Sequence, residues 1–348
     1  DLHSFPTRRS SDLFVTLAAA SSYRNTDNAT ADAAATYISG TAIDHFSSDS
    51  WPKSRFTEAI KENLSVVVAN SPEEIDSTAN GELLTKNDGQ QGPTLEKWGV
   101  NEIDISTLIY RFGDNKNAMA TLATGTGNYY NKRTEEAMKS DGADYNTLAN
   151  QYKRESETLN FIQGLSEMRF KDDGVASDDP TKNEVVNTAL DVFTTLVAAG
   201  ISAVTEGAAA PALAWGVGST IVKPIVADAL TSAWGVSKSD TRAPGSDHSD
   251  RLKAQAYADA ANRSMLTPHS VDTMRDQEWF NEDSYAHPYV KPFPNASTMS
   301  ATQIKSVTGW ANQAASDGDP AIKALQNNIN EGFVEAQMHL QAYPPNTK

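Results

Sequence analysis

Apolar residues recur at intervals of three and four along almost the whole of this chain, and they nowhere alternate at two over the length of a strand. A strand turns successive side chains to opposite faces, whereas a helix brings positions i, i+3 and i+4 to one face, so the spacing restricts the chain to helices packed on helices. From Pro52 to Asn70 the stripe is Phe56, Ile60, Leu64 and Val67, closed by Ser71 and Pro72. Ser71 and Glu74 then have the spacing of a capping box for a short helix. Asp144 is placed to cap a helix of about 25 residues with Leu148, Tyr152, Leu159, Ile162 and Leu165 on its apolar face, interrupted at Lys171 to Gly174. Ser300 and Gln303 predict a second capping box, before Ile304, Val307, Ala311 and Ala314 and a stop at Gly318. Asp319 and Pro320 start a last helix, striped by Ile322, Leu325, Ile329, Phe333, Ala336 and Leu340 and closed by Pro344 and Pro345. The expected class is all-α, an irregular helical array.

One segment departs from the amphipathic pattern. Between Asp179 and Ser237, a first apolar run including Phe193, Leu196 and Ile201 is followed by Gly207 to Pro211 and a second run including Trp215, Ile221 and Ile225. This reads as a central helical hairpin, apolar nearly all round, and a helix of that kind belongs in the middle of a fold or in a bilayer. Each arm has roughly the 20 residues that a bilayer requires, and Gly200, Gly207, Gly216 and Gly218 would permit close helix contact. Asp191, Lys223 and Asp228 oppose insertion, each at about 2.5–3.5 kcal/mol at a bilayer centre, and Pro224 breaks the second arm. A buried hairpin and a conditionally inserting one both remain open, with Phe193, Leu196, Ile201, Trp215, Ile221 and Ile225 as the core or membrane residues.

Turn-forming clusters divide the remainder. The run from Ser4 to Leu13 resembles the translation of a common short-read sequencing adapter, so residues 1–12 are set aside as foreign to the fold. Residues 13–174 form the expected helical array, 175–237 the apolar hairpin, and 238–348 a polar linker with C-terminal helices. Trp-Gly-Val occurs at Trp98, Trp215 and Trp234, too short an echo to establish a repeat.

The charge balance narrows the function. With 29 basic residues against 45 acidic ones, a net −16, and no basic stripe, nucleic acid is not an expected partner. The absence of cysteine excludes a disulfide framework, a thiolate zinc site and a cysteine nucleophile. No charged and apolar leader pattern is visible, and both a cytoplasmic location and non-classical export are compatible with that.

No catalytic, cofactor or metal motif survives inspection. Gly125-Thr126-Gly127 lacks the Lys of a phosphate loop and lies in a helical pattern, where it suggests a local irregularity. Asp76, Thr78, Asn80 and Gly81 resemble the start of a calcium loop, but Asn87 stands where a bidentate Glu is required. His287 near Glu278, Glu282 and Asp283 reads as a solvated loop, as does His45 beside Asp44 and Asp49. The chain is expected to be non-enzymatic, with no cofactor, and an unrecognised enzyme ranks third among the readings.

The order of elements resembles a family of large helical actinobacterial proteins of unknown function, sometimes labelled tetratricopeptide-like. The likeness lies in a helix of the type Asp114-Asn115-x-x-Ala118-x-x-x-Leu122, a long helix comparable with Glu157 to Arg169, and a Gly/Ala-rich apolar hairpin comparable with residues 185–235. The 34-residue tetratricopeptide period is not found, so irregular packing is the expectation. Such proteins often lie near type VII-type secretion or polymorphic toxin systems. The resemblance therefore implies a scaffold or protein-interaction region of a secretion-associated or toxin-like bacterial protein, with a protein partner; the alternative is a membrane-active protein that inserts its hairpin. The export-type pattern Tyr-x-x-x-Asp occurs at Tyr23 to Asp27 and Tyr110 to Asp114, no more often than an acidic composition supplies by chance.

Overall fold

The computed structural model describes residues 8–22, 29–81, 100–176, 178–205, 246–280 and 299–347. Among them are twelve α-helices and no strand, as the period of the apolar residues predicts. The helices are α1 (Arg8–Ser21), α2 (Ala29–Ser47), α3 (Glu58–Ala69), α4 (Pro72–Ala79), α5 (Glu102–Phe112) and α6 (Lys116–Met138), followed by α7 (Tyr145–Asp172), α8 (Pro180–Thr205), α9 (Ser246–Asn262), α10 (Pro268–Arg275), α11 (Ala301–Ser316) and α12 (Pro320–Ala342). Helix α1 begins within the segment that resembles an adapter.

Start signals are realised where a short polar side chain can reach the free N–H groups of a first turn. Asp144 with Thr147 and Ser300 with Gln303 close capping boxes on α7 and α11. Asp319 accepts from the amides of Ala321 and Ile322 at the start of α12, and its other oxygen accepts from the amide and hydroxyl of Thr267, tying α10 to the same point. Two expectations are corrected. Ser71 occupies the N-cap of α4 but makes no capping hydrogen bond, because its backbone lies outside the extended range of a cap; Thr267 and Asp319, each also followed by a proline, are extended and do cap. The helix expected from Pro52 starts at Glu58, capped by Thr57 after a single 3₁₀ turn at Lys53–Arg55.

The most extensive pairings are α7 with α12, α6 with α8 and α3 with α6. One contiguous apolar core includes Leu64 of α3, Leu122 of α6, Phe161 of α7, Phe193 of α8, Leu252 of α9 and Ile322 of α12. The array, the first apolar arm and the C-terminal helices thus share a core. An aromatic nest of Phe14, His45, Phe46 and Trp51 fills one end of it. There the fully buried Arg111 donates to the carbonyls of Phe46 and Ser48, satisfying acceptors that the end of α2 leaves without helical partners. Its guanidinium also lies 5.6 Å from the centre of the Phe56 ring, and burial lowers its pKa from the usual arginine value.

Gly125-Thr126-Gly127 is no irregularity: α6 runs through it unbroken. Gly125 is required there because a side chain would collide with the Ala69 carbonyl of α3, so the glycine sets how closely the two helices approach.

Candidate functional site

The short helix α4 places Asp76 among α6 and α7, with its side chain 3% exposed. Six donor contacts converge on its two oxygens. Oδ1 accepts from Asn80 at 2.7 Å, from the Tyr130 hydroxyl and from Arg154 Nε at 3.3 Å. Oδ2 accepts from Arg154 Nη2 at 2.7 Å, Arg133 at 3.0 Å and Tyr129 at 3.1 Å. Burial, reinforced by the Asp76 charge, raises the pKa of both phenols, so they remain neutral donors. Two guanidinium groups offset one carboxylate, and the acceptor positions are filled. The chemistry of this cluster is therefore that of a structural hub joining three helices, with no lone pair left for a substrate.

A second polar cluster lies on the seam of α7 and α12. Lys153 Nζ is 2.9 Å from Glu331, 2.9 Å from Glu335 and 3.8 Å from Glu157. Burial beside the Glu335 carboxyl pushes the Glu157 carboxyl up to about 9, while the more exposed Glu335 is lowered by its hydrogen bonds to Glu157 and Lys153. The pair therefore shares one proton at neutral pH, held on the buried partner. On another face of α7 the buried Glu155 accepts from Thr134 at 3.0 Å, and burial with the neighbouring Asp259 charge raises it well above the carboxylate range.

Where α7, α8 and the end of α12 diverge, an open groove of about 830 Å³ remains. Its lining includes the amides of Asn160, Gln163, Gln337 and Gln341, the apolar side chains of Met168, Val175, Leu340 and Pro344, and the charged groups of Glu167, Lys171 and Lys182. Gly164 also lines it, and a side chain there would strike the end of the Leu340 side chain. A gap of about 10 Å³ between α6, α7 and α8, lined by Met119, Leu159 and Phe193 among others, is a packing space too small for a ligand.

Of the residues singled out in the apolar segment, Phe193 is fully buried, with its ring centre 6.0 Å from that of Tyr130. Leu196 and Ile201 belong to α8, but their side chains lie outside the described residues, as do Trp215, Ile221, Ile225 and the whole second arm. Asp191, which argues against insertion, is buried 3.8 Å from Arg251 of α9. Among the described residues no helix is long and apolar enough to cross a membrane, and no three His, Asp or Glu side chains are grouped to hold a metal. His45 is half-buried in the aromatic nest, where desolvation lowers its pKa, and His287 lies outside the described residues. Tyr110 of the export-type pattern is buried and donates to Asp172 at 2.7 Å.

Sequence reasoning missed the hub and the groove. Asp76 and Asn80 stood out only as half of a calcium loop, and their partners lie 50 or more residues away. The signal that was available is the i, i+4 spacing of Asp76 and Asn80 and of Tyr129 and Arg133, which places each pair on one helical face.

A model of a family of unknown function, DUF6571, matches residues 8–342, nearly the whole chain. The chain belongs to that family. No curated protein and no solved structure matches it.

Proposed function

We propose that this member of a family of unknown function is a non-enzymatic helical scaffold or protein-interaction region of a larger, secretion-associated or toxin-like bacterial protein. The observation that carries the reading is the contrast between buried and open polar groups. The buried Asp76 cluster is saturated by its own partners, whereas the groove between α7, α8 and α12 presents amides, lysines and apolar side chains to solvent. Surfaces that combine apolar contact with a few placed polar groups suit recognition of another chain. The secretion association rests on the resemblance of element order described above. Insertion of the apolar hairpin has less support in the described residues, since α8 is docked on α6 and α9, with Phe193 against Tyr130 and Asp191 beside Arg251.

The test is affinity purification of the tagged chain from its native host after in-cell cross-linking, followed by reconstitution of the recovered partner with the purified chain. A stoichiometric complex is expected on sizing. Failure of any recovered protein to reconstitute would remove this reading, and so would a turnover activity abolished by E155Q or E157Q in a folded protein.

A further inference from the structure

The groove contains two lysines whose placement local stability does not explain equally well. Lys171 lies in the last turn of α7, where a cation complements the helix dipole. Lys182 lies in the first turn of α8, close behind Pro180, where the dipole favours an acid. The chain has acids in excess, and Lys53, Lys61, Lys116 and Lys153 each pair with one, whereas Lys139, Lys305 and Lys323 make no ion pair among the described residues; what sets Lys171 and Lys182 apart is that they border one groove. Lys171 and Lys182 have no ion-pair partner among the described residues, although Glu167 lines the same groove; that carboxylate accepts instead from Gln163 at 2.8 Å. Two unpaired ammonium groups therefore border a concavity whose floor is apolar, with Met168, Val175 and Leu340 partly exposed.

We propose that the groove between α7, α8 and α12 is the docking site for an acidic, aliphatic peptide segment of a protein partner. The carboxylates of such a segment pair with Lys171 and Lys182, its aliphatic side chains cover Met168, Val175 and Leu340, and Gln337 and Gln341 receive its backbone groups. Val334 and Met338, 62% and 53% exposed on α12 close to Gln337 and Gln341, extend the apolar contact beyond the groove. The partner is chosen by charge complementarity: a locally cationic cleft on a chain of net charge −16 selects an acidic segment by position and not by long-range attraction.

The proposal rests on the interaction reading above and is tested separately from it. The probe is a short, end-blocked, fluorescein-labelled peptide of alternating Glu and Leu pairs, titrated by fluorescence polarisation, with a Lys and Leu peptide as its charge-reversed counterpart. The wild-type chain is expected to bind the acidic probe saturably and in preference to the basic one, and added salt weakens that binding. K171E/K182E, shown by circular dichroism to be folded, is expected to bind it about tenfold more weakly or worse. Equal binding by the two proteins, or no saturable binding by the wild type, overturns the site. A wild-type dimer that is lost in K171E/K182E makes a second copy of the chain the occupant and overturns the partner assignment. A host partner that binds wild type and K171E/K182E equally leaves the interaction role standing while this groove assignment falls.

Discussion

Gly332 of α12 packs directly against Ser156 of α7, whose hydroxyl donates to the Ile329 carbonyl one turn before that glycine at 3.0 Å. Helix α12 is therefore held to α7 by contact between backbones, with a side-chain bond closing the space beside it.

A methyl group at Gly332 would overlap Ser156 and the Lys153 carbonyl, and backbone cannot move aside as a flexible side chain can. G332A is expected to lower stability by about 1–3 kcal/mol through overpacking. Gly309 of α11 is exposed with nothing near its missing Cβ, so G309A is expected to stabilise by about 0.4–1 kcal/mol. Urea denaturation of both variants checks the contrast, and equal effects in the two would refute the contact.

Loss of the Asp76 charge leaves Arg133 and Arg154 facing a neutral group in a buried site. D76N is expected to cost about 3–5 kcal/mol, the range for breaking a buried ion pair from one side. A denaturation midpoint within error of the wild type would show that water already reaches the cluster.

The shared proton at Glu157 predicts that stability falls as pH rises. In the unfolded chain a glutamate titrates near 4.5, and in the fold Glu157 titrates at about 9. Between these values the native state holds a proton that the unfolded chain has released. The contribution is fully present below about 4.5 and is lost progressively as pH climbs to about 9, at up to about 1.4 kcal/mol per pH unit. Glu155 acts in the same direction. Urea denaturation at pH 5, 7 and 9 measures the slope. E157Q, which cannot ionise, is expected to flatten it, and an unchanged slope in E157Q would place the proton elsewhere.

Truncation of Phe193 should report on how firmly α8 is docked. The ring is fully buried against Tyr130 and the α6–α7 face, so F193A is expected to cost about 3–5 kcal/mol. A small loss of stability accompanied by co-flotation of the wild-type chain with anionic liposomes at neutral pH would instead favour the membrane-inserting reading.

Charge reversal at Lys182 separates binding from folding. An acid in the first turn of α8 complements the dipole, so K182E is expected to leave thermal stability unchanged or raise it by about 0.3–1 kcal/mol. A clear fall in melting temperature would mean that Lys182 has a structural partner and would weaken its assignment to docking.

Local chemistry in the sequence determined which residues become helix and which faces they bury. Leu148, Tyr152, Leu159, Ile162 and Leu165 lie on the buried side of α7 as their spacing requires, and Asp144, Ser300 and Asp319 cap the helices they precede. These features are legible because a helix repeats every 3.6 residues and a cap acts within three. Tertiary structure alone decided the rest. Asp76 draws its partners from α6 and α7, Glu157 keeps its proton because packing buries it and α12 brings Glu335 beside it, and Lys171 and Lys182 line one groove that exists only once three helices have packed. Even Ser71 misled, since a capping spacing yields no bond when the backbone leaves the extended conformation that a cap requires. Side chains far apart in the chain interact only through the geometry of packing, and no local period in the sequence encodes which helix faces meet.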